Sequence, residues 1–493
     1  MHLKEDVQSR LAWAAYFTIG TGLLAPWNAL LTGIDYFAAV FPGKPMDRLF
    51  TVTYLPACLS VLLLLLRFKI TFLTPQVRIV NSFIGFALIM LAIPTLDLFN
   101  LGPRPPASGD TSSAFFPAVL SATIVIGAFD GLCQGAVFAD VAALPPKFTQ
   151  AVVSGTACSG FLVSILRISS KALWAEEQRD TGFPGLRAST ELYFLAAALL
   201  SLGCAAAYGL LLPRLHAVQQ LRRGEGHVGM PAELHVMQAG PKAHTLTDPL
   251  DQQHTAAMSG KVQIGDPGPE RSMSGAAGVQ SGPGDEEDAL LLSLQSSRSC
   301  EVEHDLERTA VPPEADQRMM LFRSCWKRLW PLCSGLLITY IITLSIFPGF
   351  LAEDVENKVL GDWYPILLIS AFNTSDLVGK LLPASSQSWR KGPNDHSRFH
   401  LQRIARAWLS FAISRILFIP AFICASFVAT PPFVMFLLTI LLGASNGLVT
   451  AGLMLGGPEM LDPGMEDAGE GILVISLISG LLVGALAGFL WLL

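Results

Sequence analysis

Three polar residues on one apolar segment have the types and the spacing to bind a polar molecule. Asn373, Asp376 and Lys380 stand at positions i, i+3 and i+7, which places them along one stripe of a helix. The carboxylate and the ammonium can neutralise each other, so their burial is tolerable. A ligand that opens this pair would meet an acceptor beside a charged donor, the combination that sugar hydroxyls need. A purely structural ion pair and a proton relay are the other two interpretations.

Two other apolar segments carry side chains suited to a planar ring. Asp130 and Gln134 lie four residues apart and therefore share a helical face. The carboxamide of Gln134 donates and accepts at once, which suits the edge of a nucleobase; a hydrogen bond that joins helices is the structural alternative. Trp27, within Pro26-Trp27-Asn28, offers a flat face for stacking, or packs against a kinked helix.

The elements that must position these side chains are membrane spans. Of the 493 residues, 51% are hydrophobic and 15% are charged, against about 25% charged in ordinary soluble chains, and the mean hydropathy is +0.48. A span needs about 20 apolar residues. Eleven stretches qualify and predict an all-α polytopic membrane protein: roughly 11–33, 50–66, 79–98, 114–141, 151–168, 191–212, 329–351, 363–383, 404–428, 432–456 and 470–493.

The basic residues predict the orientation of these spans. Lys and Arg are concentrated in alternate loops, among them Lys4, Arg10, Arg67 and Arg78. Such loops face the cytoplasm, so we predict a cytoplasmic N-terminus and, with an odd number of spans, an extracytoplasmic C-terminus. The predicted domains are an N-terminal six-helix bundle over 1–212, a long cytoplasmic loop over 213–328 and a C-terminal five-helix bundle over 329–493.

The long loop has the composition of a disordered segment. Residues 224–317 are rich in Gly, Ser, Pro, Gln and acidic residues, too polar to offset the entropy of ordering. Glu286, Leu290 and Leu291 fit an acidic dileucine signal for a sorting adaptor, and a solvated acidic patch beside a chance leucine run explains them equally well. The sequence leaves the plasma membrane and the vacuolar membrane both open as destinations.

Several function classes are excluded or disfavoured. The net charge of −6 gives no reason to expect nucleic-acid binding. The sequence has no Walker A loop, HExxH or GxSxG motif, and no Cys/His cluster with zinc spacing, so we predict no enzyme activity, no cofactor and no metal. Arg415, at membrane depth in the ninth stretch, is expected to pair with a buried carboxylate and hold helices together.

Taken together, the motifs resemble the equilibrative nucleoside transporter family. Pro26-Trp27-Asn28-Ala29 with Asp35-Tyr36-Phe37 is most similar to its plant and green-lineage branch. The resemblance spans nearly the whole chain apart from the central loop. Its other motifs are Gln134-Gly135, Ser154-Gly155, Phe347-Pro348, the Asn373, Asp376 and Lys380 stripe, Ser414-Arg415, Ser445-Asn446-Gly447 and Gly457-Pro458.

This resemblance implies a major-facilitator-like, pseudo-symmetric arrangement of six plus five helices around a central cavity, which works by alternating access. It places Leu24, Trp27 and Leu31 in the pocket wall and Gln134 on the nucleobase. It places Asp376 and Lys380 on the ribose, with Asn373 supporting them. Many animal members have Arg where this chain has Lys380, and a small residue is common where it has Asp130. The added carboxylate of Asp130 either couples transport to protons or narrows the pocket.

The sequence thus predicts an integral membrane carrier of purine and pyrimidine nucleosides, adenosine among them, that is either facilitative or proton-coupled. A nucleobase or other small-solute carrier is the alternative within transport, and removal of the ribose from a competitor would distinguish it. A receptor that does not transport its ligand is the alternative from another class. Such a receptor would bind the ligand without accumulating it in vesicles.

Overall fold

The structure is a computed structural model of the chain. Its described residues are 2–68, 74–101, 115–173, 183–216, 218–222, 314–347, 349–353, 360–361, 363–385, 398–427, 431–462 and 464–492. Every regular element within these ranges is helical, which confirms the predicted all-α class.

Within the described ranges, seven α-helices form the N-terminal half and seven form the C-terminal half. The first set is α1 (His2–Thr32), α2 (Ile34–Val40), α3 (Met46–Arg67), α4 (Pro75–Leu101), α5 (Phe115–Ala142), α6 (Pro146–Leu173) and α7 (Phe183–Ala206). The second set is α8 (Glu314–Ile346), α9 (Gly349–Glu353), α10 (Trp363–Leu381), α11 (Arg398–Ser414), α12 (Phe418–Phe427), α13 (Pro432–Glu459) and α14 (Glu466–Ala487).

The helices account for each of the predicted spans. In the described ranges, 9 helical segments are long and apolar enough to cross a membrane, and α1 with α2, bent by 43° at their break, forms a tenth if counted as one span. The remaining predicted span, 363–383, is α10, a helix of 19 residues that is long enough but less apolar than the same criterion requires. Asp376 and Lys380 lie on this helix, and their charges lower its mean hydropathy.

The segment between the two halves differs from its predicted boundaries at one end. Helix α8 begins at Glu314, before the predicted span start at 329, so its first turns carry Arg323 and Lys327 on a helix rather than a loop. The predicted disorder over 224–317 falls, up to residue 313, outside the described residues. Glu286, Leu290 and Leu291 also lie outside them. The orientation of the termini stays a prediction.

The two halves meet along two sets of helices. Within the N-terminal half, α1 packs on α6, and α5 packs on α3 and α4, while α10 packs on α13 in the C-terminal half. Between the halves, α6 contacts α10 and α13, and α14 contacts α3 and α5. These two contact zones leave a space between them, and α1, α3, α5, α6, α8, α10 and α14 all contribute residues to its wall.

Large apolar side chains cover the outside of the bundle. Leu88, Leu199 and Phe433 expose 64%, 61% and 66% of their surface; Leu88 and Leu199 lie well inside long apolar helices, and Phe433 lies at the start of one. A soluble protein rarely presents so much contiguous apolar surface to water. The same surface is favourable against the hydrocarbon core of a bilayer, so these faces belong to a multi-pass membrane protein.

Two glycines allow helix backbones to touch near the centre of the fold. A Cβ on Gly155 in α6 would collide with the backbone oxygen of Phe17 in α1. A Cβ on Gly447 in α13 would collide with the backbone oxygen of Asp376 in α10. Small residues at such crossings are the usual means by which helices pack closely in membranes. The closeness of α10 to α13 therefore depends on Gly447.

We predict that Gly447→Val destabilises the protein by at least about 2 kcal/mol, because overpacking of a tight contact costs about 1–3 kcal/mol and here the obstacle is backbone. The measurement is the thermal unfolding midpoint of the detergent-purified protein. Gly203→Val is the matched control, since an added Cβ on Gly203 has no atom within 4 Å. Equal midpoints for the two variants would show that α10 and α13 do not need this contact.

Candidate functional site

A cavity of about 1110 Å³ lies between the two halves, large enough for a drug-sized molecule. Helices of both halves line it. Of the eight predicted site residues, seven are in its wall: Leu24, Trp27, Leu31, Gln134, Asn373, Asp376 and Lys380. Asp130, the eighth, is not among the described residues that line the cavity.

Stacked aromatic pairs form part of the wall in each half. The rings of Trp27 in α1 and Tyr54 in α3 have centroids 4.4 Å apart and an interplanar angle of 23°. Phe347 and Phe372 stack in the C-terminal half with centroids 3.9 Å apart. All four side chains reach the cavity. Such surfaces bury the faces of a planar ring favourably.

Asp130 lies behind the wall and holds two of its residues. Its Oδ2 accepts hydrogen bonds from the Tyr54 hydroxyl and the Gln134 Nε2, each at 2.6 Å. The side chain is fully buried. The expectation that Asp130 contacts the ligand is therefore not supported by its position, because Tyr54 of α3 and Gln134 stand between it and the cavity.

The predicted ion pair on α10 is present and buried. Lys380 Nζ donates to Asp376 Oδ2 at 2.9 Å, and both residues are at most 6% exposed. Asn446 of α13 donates to the other carboxylate oxygen, Oδ1, at 2.7 Å. Each oxygen of Asp376 thus has a partner, which a buried carboxylate requires. Since both side chains also border the cavity, a polar ligand can reach them.

A chain of hydrogen bonds connects this pair to Arg415. Thr343 of α8 lies 2.9 Å from Asn446 Oδ1 and accepts from Arg415 NH2 at 2.8 Å. Arg415 NH1 donates to the Thr339 carbonyl at 2.9 Å, and its Nε donates to the Ser445 hydroxyl at 3.1 Å. In the described residues Arg415 meets no carboxylate directly, contrary to expectation. Arg415 lies in the 3₁₀ turn Arg415–Leu417, and carbonyl and hydroxyl oxygens of α8 and α13 satisfy its donors instead.

One end of the cavity is sealed by hydrogen bonds between the halves. Gln150 of α6 donates from Nε2 to the carbonyl oxygens of Lys380 and Leu381, both at 3.2 Å. The Ser154 hydroxyl donates to the Lys380 carbonyl at 3.2 Å. These bonds hold the N-terminal part of α6 against the C-terminal end of α10, so a ligand has no direct path through this end.

Asn373 adds a further connection between the halves, one helical turn or more from the seal. Its Nδ2 donates to the Ser164 hydroxyl at 2.9 Å and to the Gly160 carbonyl at 3.2 Å. The Asn373 side chain therefore lies in the cavity wall but is engaged by α6. In this geometry Asn373 supports the polar stripe on α10, and its amide donor is not free for a ligand.

The opposite end of the cavity is open and largely basic. Its wall reaches the exposed residues Asp35 and Lys44, and it also includes Arg48, Arg167 and Lys171. Arg167 NH2 and Asp35 Oδ2 form an ion pair at 2.6 Å. The cavity thus borders exposed residues near the α2–α3 connection, and hydrogen bonds join the halves at the Gln150 end.

The sequence analysis missed Tyr54 and Thr343 as members of the site. Tyr54 supplies half of the aromatic pair and one donor to Asp130, and Thr343 connects Arg415 to Asn446. Both are hydroxyl-bearing side chains in the middle of apolar spans, where a polar group needs a partner. A hydroxyl group in the middle of an apolar span is the sequence feature that could have identified both residues.

The combination of a central cavity, two helical halves around it and a seal at one end defines an alternating-access membrane transporter. The fold matches that of a solved transporter, the MFS (major facilitator superfamily) proton:xylose symporter XylE, with a TM-score of 0.52 and 12% identity, over 97% of this chain and 88% of that chain. At this identity the likeness concerns the fold.

Sequence comparison identifies the family. The nucleoside transporter model matches residues 120–258 and 280–493, and the chain belongs to that family of membrane transporters, which are not enzymes. Equilibrative nucleotide transporter 8 of Arabidopsis thaliana is 28% identical over 98% of this chain and 95% of its own length. Equilibrative nucleoside transporter 4 of Homo sapiens is 26% identical over 99% of this chain and 84% of its own length.

We predict that Asp376→Asn and Lys380→Met each destabilise the protein by about 3–5 kcal/mol, because each leaves one buried charge without its partner. The double variant should recover most of this loss, since it buries no charge at all. Thermal unfolding in detergent measures the cycle. Asp462→Asn with Arg328→Met serves as the control cycle at a partly exposed pair of 2.6 Å, where changes of about 1 kcal/mol or less are expected. Additive losses in the Asp376 cycle would contradict the pairing.

Proposed function

We propose that this protein moves nucleosides across a membrane by alternating access. The observation that carries the proposal is the division of the cavity wall between the two halves. Gln134 and the Trp27–Tyr54 stack belong to the N-terminal half, while the Asp376–Lys380 pair belongs to the C-terminal half. A nucleoside has a planar base at one end and a hydroxyl-rich sugar at the other, and it complements both.

Each half of the transporter would hold one end of the substrate. The base would stack on the aromatic wall beside Trp27, with Leu24 and Leu31 adding apolar contact, and would hydrogen-bond to Gln134. The ribose hydroxyls would donate to Asp376 and accept from Lys380, with Asn373 holding α10 in place. A ligand that binds both halves favours conformations in which they approach each other, which is the differential affinity that a conformational change requires.

A nucleotide is the second candidate substrate, and the open end of the cavity favours it. Lys44, Arg48, Arg167 and Lys171 lie in that part of the wall, with Asp35 paired to Arg167. A basic mouth attracts phosphate groups. The Arabidopsis relatives carry the word nucleotide in their names, whereas the human relative carries nucleoside.

Buried carboxyl groups in the described helices are compatible with proton coupling. Both carboxyl oxygens of Glu470 in α14, and Oδ1 of Asp130, are buried without a hydrogen-bond partner among the described residues. A carboxylate without a counter-charge is costly in a low dielectric, and protonation removes that cost. These groups can therefore carry a proton through a transport cycle, which supports proton-coupled transport beside the facilitative mode.

The proposed topology and destination follow the sequence. The distribution of Lys and Arg supports a cytoplasmic N-terminus and an extracytoplasmic C-terminus, with bundles over 1–212 and 329–493 around a cytoplasmic loop. In that orientation the open end of the cavity faces away from the cytoplasm. The plasma membrane and the vacuolar membrane are both compatible destinations.

Uptake of radiolabelled adenosine into proteoliposomes of the purified protein tests the function. We expect saturable uptake by the wild type and, per molecule of folded protein, a loss of at least about tenfold in the double variant Asp376→Asn with Lys380→Met, which removes the ribose contact without leaving either partner of the pair charged and alone. Lys327→Met is the matched control at an exposed lysine outside the cavity wall and should transport normally. Excess unlabelled AMP should compete weakly; stronger competition by AMP than by adenosine would favour the nucleotide, and competition by free adenine equal to adenosine would favour a nucleobase carrier.

The same vesicles distinguish the modes of transport. An inward proton gradient should drive adenosine above its equilibrium level if transport is proton-coupled, and should leave the final level unchanged if transport is facilitative. Binding of adenosine by folded protein without any uptake would contradict transport and indicate a receptor.

We propose that Glu286, Leu290 and Leu291 bind a sorting adaptor. We predict that the double change Leu290→Ala and Leu291→Ala relocates the protein to a different membrane while adenosine uptake per molecule stays within about twofold of wild type, because the substituted residues are distant in sequence from every cavity residue. Fluorescence microscopy of the tagged full-length protein provides the measurement. Unchanged location in the cell would contradict the adaptor proposal.

A further inference from the structure

Gln134 is held in one orientation by a residue outside the cavity. Its Nε2 donates to Asp130 Oδ2 at 2.6 Å. The same oxygen accepts from the Tyr54 hydroxyl at 2.6 Å and from the Cys58 thiol at 3.6 Å. Asp130 Oδ1 has no partner among the described residues, so a proton on this carboxyl would reside on Oδ1. In either protonation state Oδ2 is the acceptor, and the group that Gln134 turns toward it must be the amide nitrogen.

The orientation decides which atoms Gln134 offers to the cavity. One amide hydrogen is engaged by Asp130, so the carbonyl Oε1 and the second amide hydrogen remain. Oε1 accepts no hydrogen bond from the described part of the chain, and it is not among the polar atoms that are fully buried without a partner. Bonding to a carboxyl group also polarises the amide and strengthens Oε1 as an acceptor. A ligand therefore meets a donor and an acceptor in a fixed order.

A carboxamide that presents its donor and its acceptor in this fixed order distinguishes two classes of base. Adenine and cytosine present an exocyclic amino donor next to a ring-nitrogen acceptor, which matches a carboxamide in two hydrogen bonds. Hypoxanthine and uracil present a carbonyl at the corresponding position, which would face Oε1 with an acceptor. A freely rotating amide would turn over to suit them. An amide held by Asp130 cannot do so without losing its bond to Oδ2.

We propose that Asp130 is a specificity-determining positioning residue, which orients Gln134 so that the transporter prefers nucleosides whose base carries an amino group over those with a carbonyl there. The inference rests on the proposed function, because it assumes that Gln134 faces the base. Asp130 acts without touching the substrate, since it lies behind Tyr54 and Gln134 and outside the cavity wall. The stack of Tyr54 on Trp27 depends on the same oxygen.

Competition against labelled adenosine in proteoliposomes tests the proposal with two matched pairs, adenosine with inosine and cytidine with uridine. The wild type should prefer the amino member of each pair by about tenfold in half-inhibitory concentration, the scale of one good bidentate contact. Asp130→Asn can keep a carbonyl oxygen in the place of Oδ2, which accepts from both Tyr54 and Gln134, and it should retain both preferences. In Asp130→Leu no acceptor for Gln134 Nε2 remains at this position. Gln134 then loses its fixed orientation, and both preferences should fall to within about twofold of unity.

Asp140→Leu is the matched control. Asp140 lies on the same helix and also accepts from a tyrosine hydroxyl, that of Tyr16 at 2.7 Å, but it is not part of the cavity wall. Its substitution should leave both preferences at the wild-type value. A merely structural role of Asp130 would change the amount of folded transporter without changing either ratio.

A series on the wild type alone covers the case in which Asp130→Leu does not fold. Purine riboside has hydrogen where adenosine has its amino group, so competition should weaken from adenosine to purine riboside to inosine. Equal competition by the three, or wild-type ratios retained in Asp130→Leu, would overturn the inference while nucleoside transport itself stands. Failure of every nucleoside to compete would overturn the proposed function as well as the inference.

Discussion

The buried ion pair between Asp376 and Lys380 is the constraint on which the C-terminal half depends. Two charges in a low-dielectric interior are tolerated only when their remaining hydrogen-bonding capacity is used. Asn446 supplies the bond to Asp376 Oδ1, and Thr343 and Arg415 fix Asn446 in turn. One of the glycines that let α13 approach α10 is Gly447, the residue next to Asn446, so the close helix contact and the hydrogen bond to Asp376 lie side by side.

The helical stripe on α10 could be predicted because its geometry is local. Residues at i, i+3 and i+7 share a face in any helix, and a charged pair at membrane depth needs either a partner or a cavity. The position of Asp130 could not be predicted in this way. Asp130 and Gln134 share a face of α5, but only one of them reaches the cavity, because α3 brings Tyr54 over the other.

Arg415 shows a second limit of reasoning from residue types. A buried guanidinium suggests a carboxylate partner, yet hydrogen bonds to oxygens of Thr339, Thr343 and Ser445 satisfy it here. Those oxygens come from α8 and α13, so the arrangement depends on how three helices meet. The all-helical class and the approximate spans needed only hydropathy, which each segment carries by itself.

Lys380 belongs to both the binding wall and the seal of the cavity. Its ammonium pairs with Asp376, while its backbone carbonyl accepts from Gln150 and Ser154 of the other half. A solute that draws the ammonium toward itself therefore acts on the closed end through a single residue, with no relay of intermediate side chains. The cavity wall and the seal thus share one residue, and a change that displaces the α10 backbone at Lys380 affects both.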